Sequence, residues 1–391
     1  NYACILGPLY GKSTLSIENL TVFRKSTERA VPLALPKIDE IRDQIDQIDE
    51  KLLKLFNRRA KLAIQIGQEK FKKNASAHFH VPHRERDIIE RMQQANPGPL
   101  PKEAVESIFR EIFSATLALE KPLNIAYLGP ETTFSHQAAI KQFGHSAVFI
   151  PTGGIENIFH AVEQGHADYG VVPIENSTEG VVNLTLDCFV DSPLVICDEV
   201  KMGISLCYLS KSGDPAKVRQ IYSHPQPLAQ CRNWLNQHAT GIEQVTTSST
   251  SVAADIASKD ETAAAVAGKL AAEFYNLKII AEKIEDRAKN TTRFLVISKE
   301  KAKKAKRNKT SLMFSIEDEA GSLLKVLQLF ARNQINLTKI QSRPLRNRSW
   351  EYLFFVDFEG HIEDPNIEKV IRTVSKRCIF LRVLGSYPNH D

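Results

Sequence analysis

Residues 38–72, IDEIRDQIDQIDEKLLKLFNRRAKLAIQIGQEKFK, place apolar side chains at Ile38, Ile41, Ile45, Ile48, Leu52, Leu55, Leu62 and Ile66. The steps alternate between three and four residues, the pattern of a helix whose apolar seam meets another helix. One slot in that rhythm is filled by Arg59. A guanidinium on a packing seam must find anions or destabilise the fold. Its partner is either a carboxylate of the protein or a ligand. A helix over these residues would be about 50 Å long, too long for the short helical region behind it to cover. The spacing therefore predicts a seam buried by a second copy of the chain, in a homodimer or higher homo-oligomer.

Length and composition set the frame. The chain has 391 residues, 42% of them hydrophobic, enough for several domains with a sizeable core. The N-terminal patch from Ala3 to Leu9 lacks the basic flank of a secretory signal, and no apolar run is long enough to cross a bilayer. Residues 1–36 show no periodicity and are left unassigned. Within them GPLYGKS (Gly7–Ser13) has three residues between its glycines, not the four of a phosphate loop. Six cysteines lie scattered with no CxxC pair, which predicts reduced thiols, a cytoplasmic setting and no zinc site. The net charge of +5 is local. KEKAKKAKRNK (299–309) holds seven basic residues and one acid, a net of +6, so the remainder is at −1 (5 − 6). The run has no interleaved aromatics to stack on bases. It reads as a solvated linker over 300–309, not as a nucleic-acid site.

Three regimes follow one another. Residues 37–121 read as all-helical, with helices over 38–72, 83–95 and 102–120, the last two separated by NPGPLP (Asn96–Pro101). His78, His80 and His83 sit in the first loop, with no second cluster to complete a metal site. Residues 122–299 alternate short apolar strands with helical stretches, an α/β pattern that predicts two lobes with largely parallel sheets. In such sheets ligands bind beside the carboxyl ends of strands. Residues 310–391 read βαββαβ, the α+β ferredoxin-like order.

In the helical region Arg42 precedes Arg59 by 17 residues and Lys70 follows by 11. At about 100° per residue, the three lie within roughly 20–40° of one face. Two readings stay open for this stripe: cations snorkelling from an amphipathic helix to surface acids, or a clamp for a ligand with two carboxylates. Residues 41–70, with PHRERD (Pro82–Asp87) and FREIFSATLALE (Phe109–Glu120), resemble the all-helical chorismate mutase family. The resemblance assigns substrate-binding roles to Arg42, Arg59, Lys70, Arg84, Glu85, Thr116 and Glu120. It departs at Val81, where the family often has Asp. It implies the cofactor-free rearrangement of chorismate to prephenate. Arg42 and Arg59 would hold carboxylates; Lys70 and a protonated Glu120 would donate to the ether oxygen.

In the second regime VVPIENSTEG (Val171–Gly180) and NTTRF (Asn290–Phe294) put polar residues at strand ends. Each alone reads as ordinary capping. Together with YLGPETTFSH, YSHPQPLAQC and STSVAA, in that order, they resemble prephenate dehydratase. The resemblance departs at Thr132, where Gly is usual, and at Ser248, where some relatives carry an acid. It implies Thr292 as the catalytic residue, protonating the departing ring hydroxyl as carbon dioxide leaves. It gives Asn176, Ser177, Ser223, Gln230 and Arg293 to substrate binding. The third regime resembles the ACT regulatory domain through AGSLLKVL (Ala320–Leu327) and IQSRP (Ile340–Pro344), with Gln341 where Glu is common. That implies phenylalanine as effector at Gly321, Ser322, Leu323, Ser342, Arg343 and Pro344. It also implies that removing 310–391 leaves an active, insensitive enzyme.

The expectation is a multidomain enzyme of phenylalanine biosynthesis with no metal or other cofactor, no nucleic acid and no membrane partner. Two alternatives remain: a dehydratase whose helical domain only dimerises, and a non-catalytic metabolite sensor.

Overall fold

The computed structural model describes residues 38–73, 80, 82–287, 289–344 and 352–390. Residues 1–36, His78 and Val81 lie outside them. The chain divides into two compact units, Asn1–Leu55 and Phe56–Asp391.

Helix α1 (Ile38–Lys73) begins in the first unit and ends in the second; α2 (Pro82–Ala95) and α3 (Lys102–Glu120) follow within a residue of the expected bounds. Asp39 and Glu40 sit in the first turn of α1, where acids favour the positive helix end. In the first unit Ile41, Ile45, Ile48 and Leu52 are exposed. In the second, Leu62 and Ile66 are exposed too, at 53% and 52%. The seam thus finds no cover within its own unit. By contrast α2 and α3 bury Ile89, Val105 and Phe113.

The α/β region begins with β1 (Asn124–Leu128), α4 (Phe134–Phe143), β2 (Val148–Thr152), α5 (Ile155–Glu163), β3 (Tyr169–Asn176), β4 (Gly180–Val181), α6 (Asn183–Asp191) and β5 (Val195–Gly203). The second lobe holds β6 (Cys207–Ser210), β7 (Gln220–Ser223), α7 (Pro225–Gln230), α8 (Arg232–His238), β8 (Glu243–Thr246), α9 (Thr250–Lys259), β9 (Ala263–Ala267), α10 (Lys269–Phe274) and β10 (Lys278–Glu282). Strand β11 (Thr291–Ser298) returns to the first lobe. The sheet orders are β2-β1-β3-β11-β5, with β4 beside β3, and β10-β6-β9-β7-β8.

The expectation of largely parallel sheets needs correction. β1 runs parallel to β2 and β3, and β7 to β8 and β9. β11 is antiparallel to both β3 and β5, and β6 to β9 and β10. A parallel pair needs a crossover connection. β11 enters the first sheet from the other lobe, so that rule does not bind it. Its return puts NTTRF beside VVPIENSTEG.

The last region comprises β12 (Asn308–Ser315), α11 (Ser322–Arg332), β13 (Leu337–Pro344), β14 (Tyr352–Glu359), α12 (Pro365–Ser375) and β15 (Phe380–Pro388). The antiparallel order β13-β14-β12-β15 is the ferredoxin-like one expected. Two faces share the burial of β12. Leu312 and Phe314 pack with Val326, Phe330, Val370 and Ile371 of the two helices. Met313 packs with Val172, Ile196 and Leu295 of the α/β region. Contact there is close: a Cβ on Gly385 would lie 2.1 Å from the Ile196 carbonyl oxygen.

Two corrections follow. Only the end of the basic run departs from a solvated linker: residues 301–307 form no helix or strand and are mostly exposed, while Asn308 and Lys309 are buried. Lys306 pairs with Glu90 at 2.7 Å, Lys309 is buried against Glu199 at 2.7 Å, and β12 starts at Asn308. And since β12, β14 and β15 complete the core around Ile196 and Leu295, removing 310–391 would expose that core rather than leave an intact dehydratase.

Candidate functional site

Arg42 belongs to the first unit, where it is exposed and 3.4 Å from Asp39. The other candidate residues of the helical region lie in the second. Arg59, on α1, donates to Thr116 Oγ1 at 2.8 Å, and its guanidinium lies 4.9 Å from the Phe113 ring centre. Thr116 in turn donates to the Ile112 carbonyl at 2.7 Å, an i−4 bond that fixes its rotamer. Burial lowers the Arg59 pKa, against the pull of Glu85 and Glu120; Arg84 adds to the lowering. Burial also raises the Glu120 pKa, against Lys70 and Arg59. Arg59, Lys70, Arg84, Glu85 and Glu120 therefore form one electrostatic neighbourhood, with an Arg on the seam and a carboxyl biased toward its protonated form.

Two neighbours escaped the sequence. Gly67 is buried on α1, and a Cβ there would lie 2.8 Å from Glu120 Oε2. The available signal was a glycine inside a long helix, which costs about 1 kcal/mol without a packing reason. His80 was read as a loop histidine. Its Nδ1 lies 2.9 Å from the Tyr169 hydroxyl, and its Nε2 is 3.5 Å from Glu85. Among the described residues no group of three His, Cys, Asp or Glu could hold a metal.

In the α/β region, Asn176 and Thr292 are direct cross-strand partners. Asn176 Nδ2 donates to Thr292 Oγ1 at 2.7 Å and to Asn290 Oδ1 at 2.8 Å. Asn176 is itself fixed, because its Oδ1 accepts from the backbone of Thr178 and Glu179 at 2.9 and 3.1 Å. The chain continues from Asn290 Nδ2 to Gln230 Oε1 at 3.2 Å, then from Gln230 Nε2 to Glu179 Oε1 at 3.4 Å. It joins β3, β11 and the end of α7, one lobe to the other. Beside it opens a cleft of about 490 Å³ lined by Glu179, Gln230, Arg232, Arg287 and Asn290. Thr292 is only 8% exposed. A hydroxyl that accepts from an amide is a better acid, since the bond favours its charged form. Asn290 and Glu179 were not named from the sequence, although both lie inside the quoted motif strings.

Ser177 serves the backbone. Its Oγ accepts from Thr291 N at 2.9 Å and donates to the Lys289 carbonyl at 3.3 Å, clamping the start of β11. Of the five expected binding residues only Gln230 lines the cleft; Asn176 is bonded into the chain beside it, and Ser223 and Arg293 belong to neither. Ser223 is fully buried and gives its proton to the Val266 carbonyl at 2.6 Å, inside the second sheet. Arg293 follows Thr292 on a strand, so its side chain takes the opposite face. There it bonds Glu199 and Asp357 at 2.6 Å each and the Tyr387 hydroxyl at 2.9 Å.

The two effector strings lie in different cavities. Gly321, at φ +87°, caps α11 and lines a cavity of about 290 Å³ with Ile316, Leu323 and Phe354. Ser322 follows it, its N–H bonded to the Glu319 carbonyl at 3.1 Å. Arg343 and Pro344 instead line a cavity of about 360 Å³ with Leu184, Asp187 and Phe355. Arg343 is committed to Asp187 at 2.6 and 2.7 Å. Ser342 pairs with Phe354 on the neighbouring strand. A single chain does not bring the two strings together.

Known proteins agree with this division. Residues 41–121 match the model of chorismate mutase type II, 125–302 that of prephenate dehydratase and 310–375 that of the ACT domain. The bifunctional chorismate mutase/prephenate dehydratase of Aquifex aeolicus is 47% identical over 90% of this chain and 98% of its own. That of Stutzerimonas stutzeri is 42% identical with the same coverage. A prephenate dehydratase from Arthrobacter aurescens, solved in complex with L-Phe, is 30% identical with a TM-score of 0.63 over 68% of this chain and 90% of that one. The chain belongs to the bifunctional chorismate mutase/prephenate dehydratase family.

Proposed function

We propose that the chain rearranges chorismate to prephenate in its helical region and converts prephenate to phenylpyruvate between the two α/β lobes, under feedback by phenylalanine. The observation that carries the reading is the Asn176–Thr292 bond at 2.7 Å, which sets a polarised hydroxyl beside an interlobe cleft. The proposed boundaries are 37–121, 122–299 and 310–391, with β12 drawing its start back to Asn308.

In the first reaction no nucleophile is needed. The bond to the ether oxygen breaks as the new carbon–carbon bond forms, and the protein holds the folded dianion. Arg59 supplies a guanidinium from the seam; Glu120, held toward its neutral form by burial, donates to the ether oxygen with Lys70. In the second reaction the ring hydroxyl departs as water on taking the Thr292 proton. The ring carboxylate leaves as carbon dioxide, and its bonding pair enters the ring to complete the aromatic system. Aromatisation drives the step; the site polarises and positions. With Arg293 bound elsewhere, Arg232 and Arg287 are the cleft cations that we assign to the prephenate carboxylates.

The exposed α1 seam supports a homo-oligomer, and the separation of the two effector strings supports a phenylalanine site completed by a second copy. The unpaired thiols of Cys207 and Cys231 support a reducing compartment, the cytoplasm. Among the described residues no helix is long and apolar enough to cross a membrane. The test is to supply chorismate alone and follow prephenate and phenylpyruvate. Both should appear in sequence. Chorismate left untouched while added prephenate is consumed would reduce the helical region to a dimeriser; no turnover of either would leave a sensor.

A further inference from the structure

Asn176 pairs with Thr292 across the β3–β11 ladder, and Glu175 pairs with Arg293 one position on. Strand alternation sends Asn176 and Thr292 to one face of the sheet and their neighbours to the other. On that second face both neighbours are held by the ACT domain. Glu175 meets Lys339 of β13 at 2.7 Å. Arg293 meets Asp357 of β14 at 2.6 Å and Tyr387 of β15 at 2.9 Å. The residues flanking the dehydratase pair are thus tied to the unit that resembles an effector domain.

The two ties differ in kind. The Arg293 cluster is closed: Glu199 also takes Lys309 at 2.7 Å, and Ser311 bonds Asp357 at 2.5 Å and Tyr387 at 2.6 Å. The Glu199 and Lys309 side chains are 0% and 4% exposed. Breaking such a buried set leaves an uncompensated charge, so it acts as a fixed pivot. Glu175 is 40% exposed, and its partner sits on β13, the strand whose far end carries Ser342, Arg343 and Pro344. Arg343 grips Asp187 on α6 from the same strand. β13 pairs with β14 with Lys339 opposite Asp357, so a displacement carried along β13 reaches Glu175 and Asp187 directly and the buried Arg293 cluster only through β14.

We propose that the Lys339–Glu175 ion pair is the joint through which an effector on the ACT domain changes the setting of Asn176, and through it of Thr292. Lys339 and Glu175 are positioning residues; neither touches substrate. The proposal rests on the reading of a phenylalanine-inhibited dehydratase. Asn176 holds Thr292 with one bond and is itself held by the turn after β3. A small tilt of residue 175 is enough to lengthen a 2.7 Å hydrogen bond.

The test uses the full-length protein with prephenate as substrate. Phenylalanine inhibition is read from initial rates, and phenylalanine binding from equilibrium dialysis. Lys339→Met should keep the uninhibited rate and bind phenylalanine within about threefold of the parent. Its half-inhibiting concentration should rise at least about fivefold, which is about 1 kcal/mol of coupling. Lys339→Glu alone should be equally insensitive, and adding Glu175→Lys should restore inhibition. Unchanged inhibition of Lys339→Met would overturn the proposal. So would a parallel loss of phenylalanine binding, which would make Lys339 part of the effector site. A parent enzyme indifferent to phenylalanine would sink the feedback reading instead, before any substitution is made.

Discussion

Thr292→Val is the sharpest perturbation of the dehydratase. Valine keeps the shape and β-branching that suit an interior strand, and it removes only the hydroxyl. The structural loss is bounded. Thr292 Oγ1 accepts one bond from Asn176, which keeps its second acceptor, Asn290, at 2.8 Å. Losing one such bond costs about 1 kcal/mol, or roughly 2–4 °C in melting temperature for a domain of this size. The chemical loss is far larger, since a positioned general acid contributes about 10²- to 10⁴-fold. Supplied with chorismate, the variant should accumulate prephenate at the parental rate and form phenylpyruvate at least about 100-fold more slowly. Thr292→Ser, which keeps the donor, should recover most of that rate. Phenylpyruvate formation within tenfold of the parent by the valine variant would refute the assignment. Loss of both activities would point to misfolding, which the melting temperature would reveal.

Burial raises the Glu120 pKa, and donation to the ether oxygen needs the protonated carboxyl. Mutase kcat/KM should therefore fall as pH rises through that elevated pKa, and Glu120→Gln should flatten the profile; an unchanged profile removes the role. Gly67→Ala should separate stability from activity. Alanine favours the helix by about 1 kcal/mol, while its Cβ would come 2.8 Å from Glu120 Oε2, so the melting point should hold or rise as mutase kcat drops. Arg59→Met should cut mutase kcat/KM by about 30- to 5,000-fold, the equivalent of the ~2–5 kcal/mol typical of a truncated charge contact, and leave prephenate turnover within about twofold. Thr132 sits at φ +65°, is 1% exposed and has no hydrogen-bond partner for its hydroxyl. Thr132→Gly should relieve that backbone strain and raise stability by about 1 kcal/mol in denaturant melts.

Local patterns carried much of the molecule. The three-four rhythm gave α1 almost to its ends, and the βαββαβ order of the last region was read without error. Thr292 and Asn176 were named from their strings, and the fold set them on paired strands. What the strings hid has a common cause. Arg293 stands beside Thr292 in NTTRF, yet adjacent strand residues face opposite ways, and its partners here are Glu199, Asp357 and Tyr387. Ser223 ends a buried strand and donates to the Val266 carbonyl. The basic run is mostly exposed up to Arg307, as its composition implies; what composition could not show is the burial of Lys309 against Glu199, 110 residues away.

By itself, then, the sequence determined element types, the division of the chain into helical, α/β and βαββαβ regions, and the residue types available at each motif. Those properties rest on periodicity and backbone preference, which act over a few residues. Only the tertiary structure decided which side chains share a face. It brought β11 back antiparallel beside β3, turned Arg293 away from Thr292, and placed Gly67 under Glu120. It also joined the ACT sheet to the dehydratase core through Met313 and Gly385. Such pairings join chain segments far apart in sequence, 53 residues for Gly67 and Glu120 (120 − 67) and 116 for the Asn176–Thr292 bond, and no local pattern encodes them.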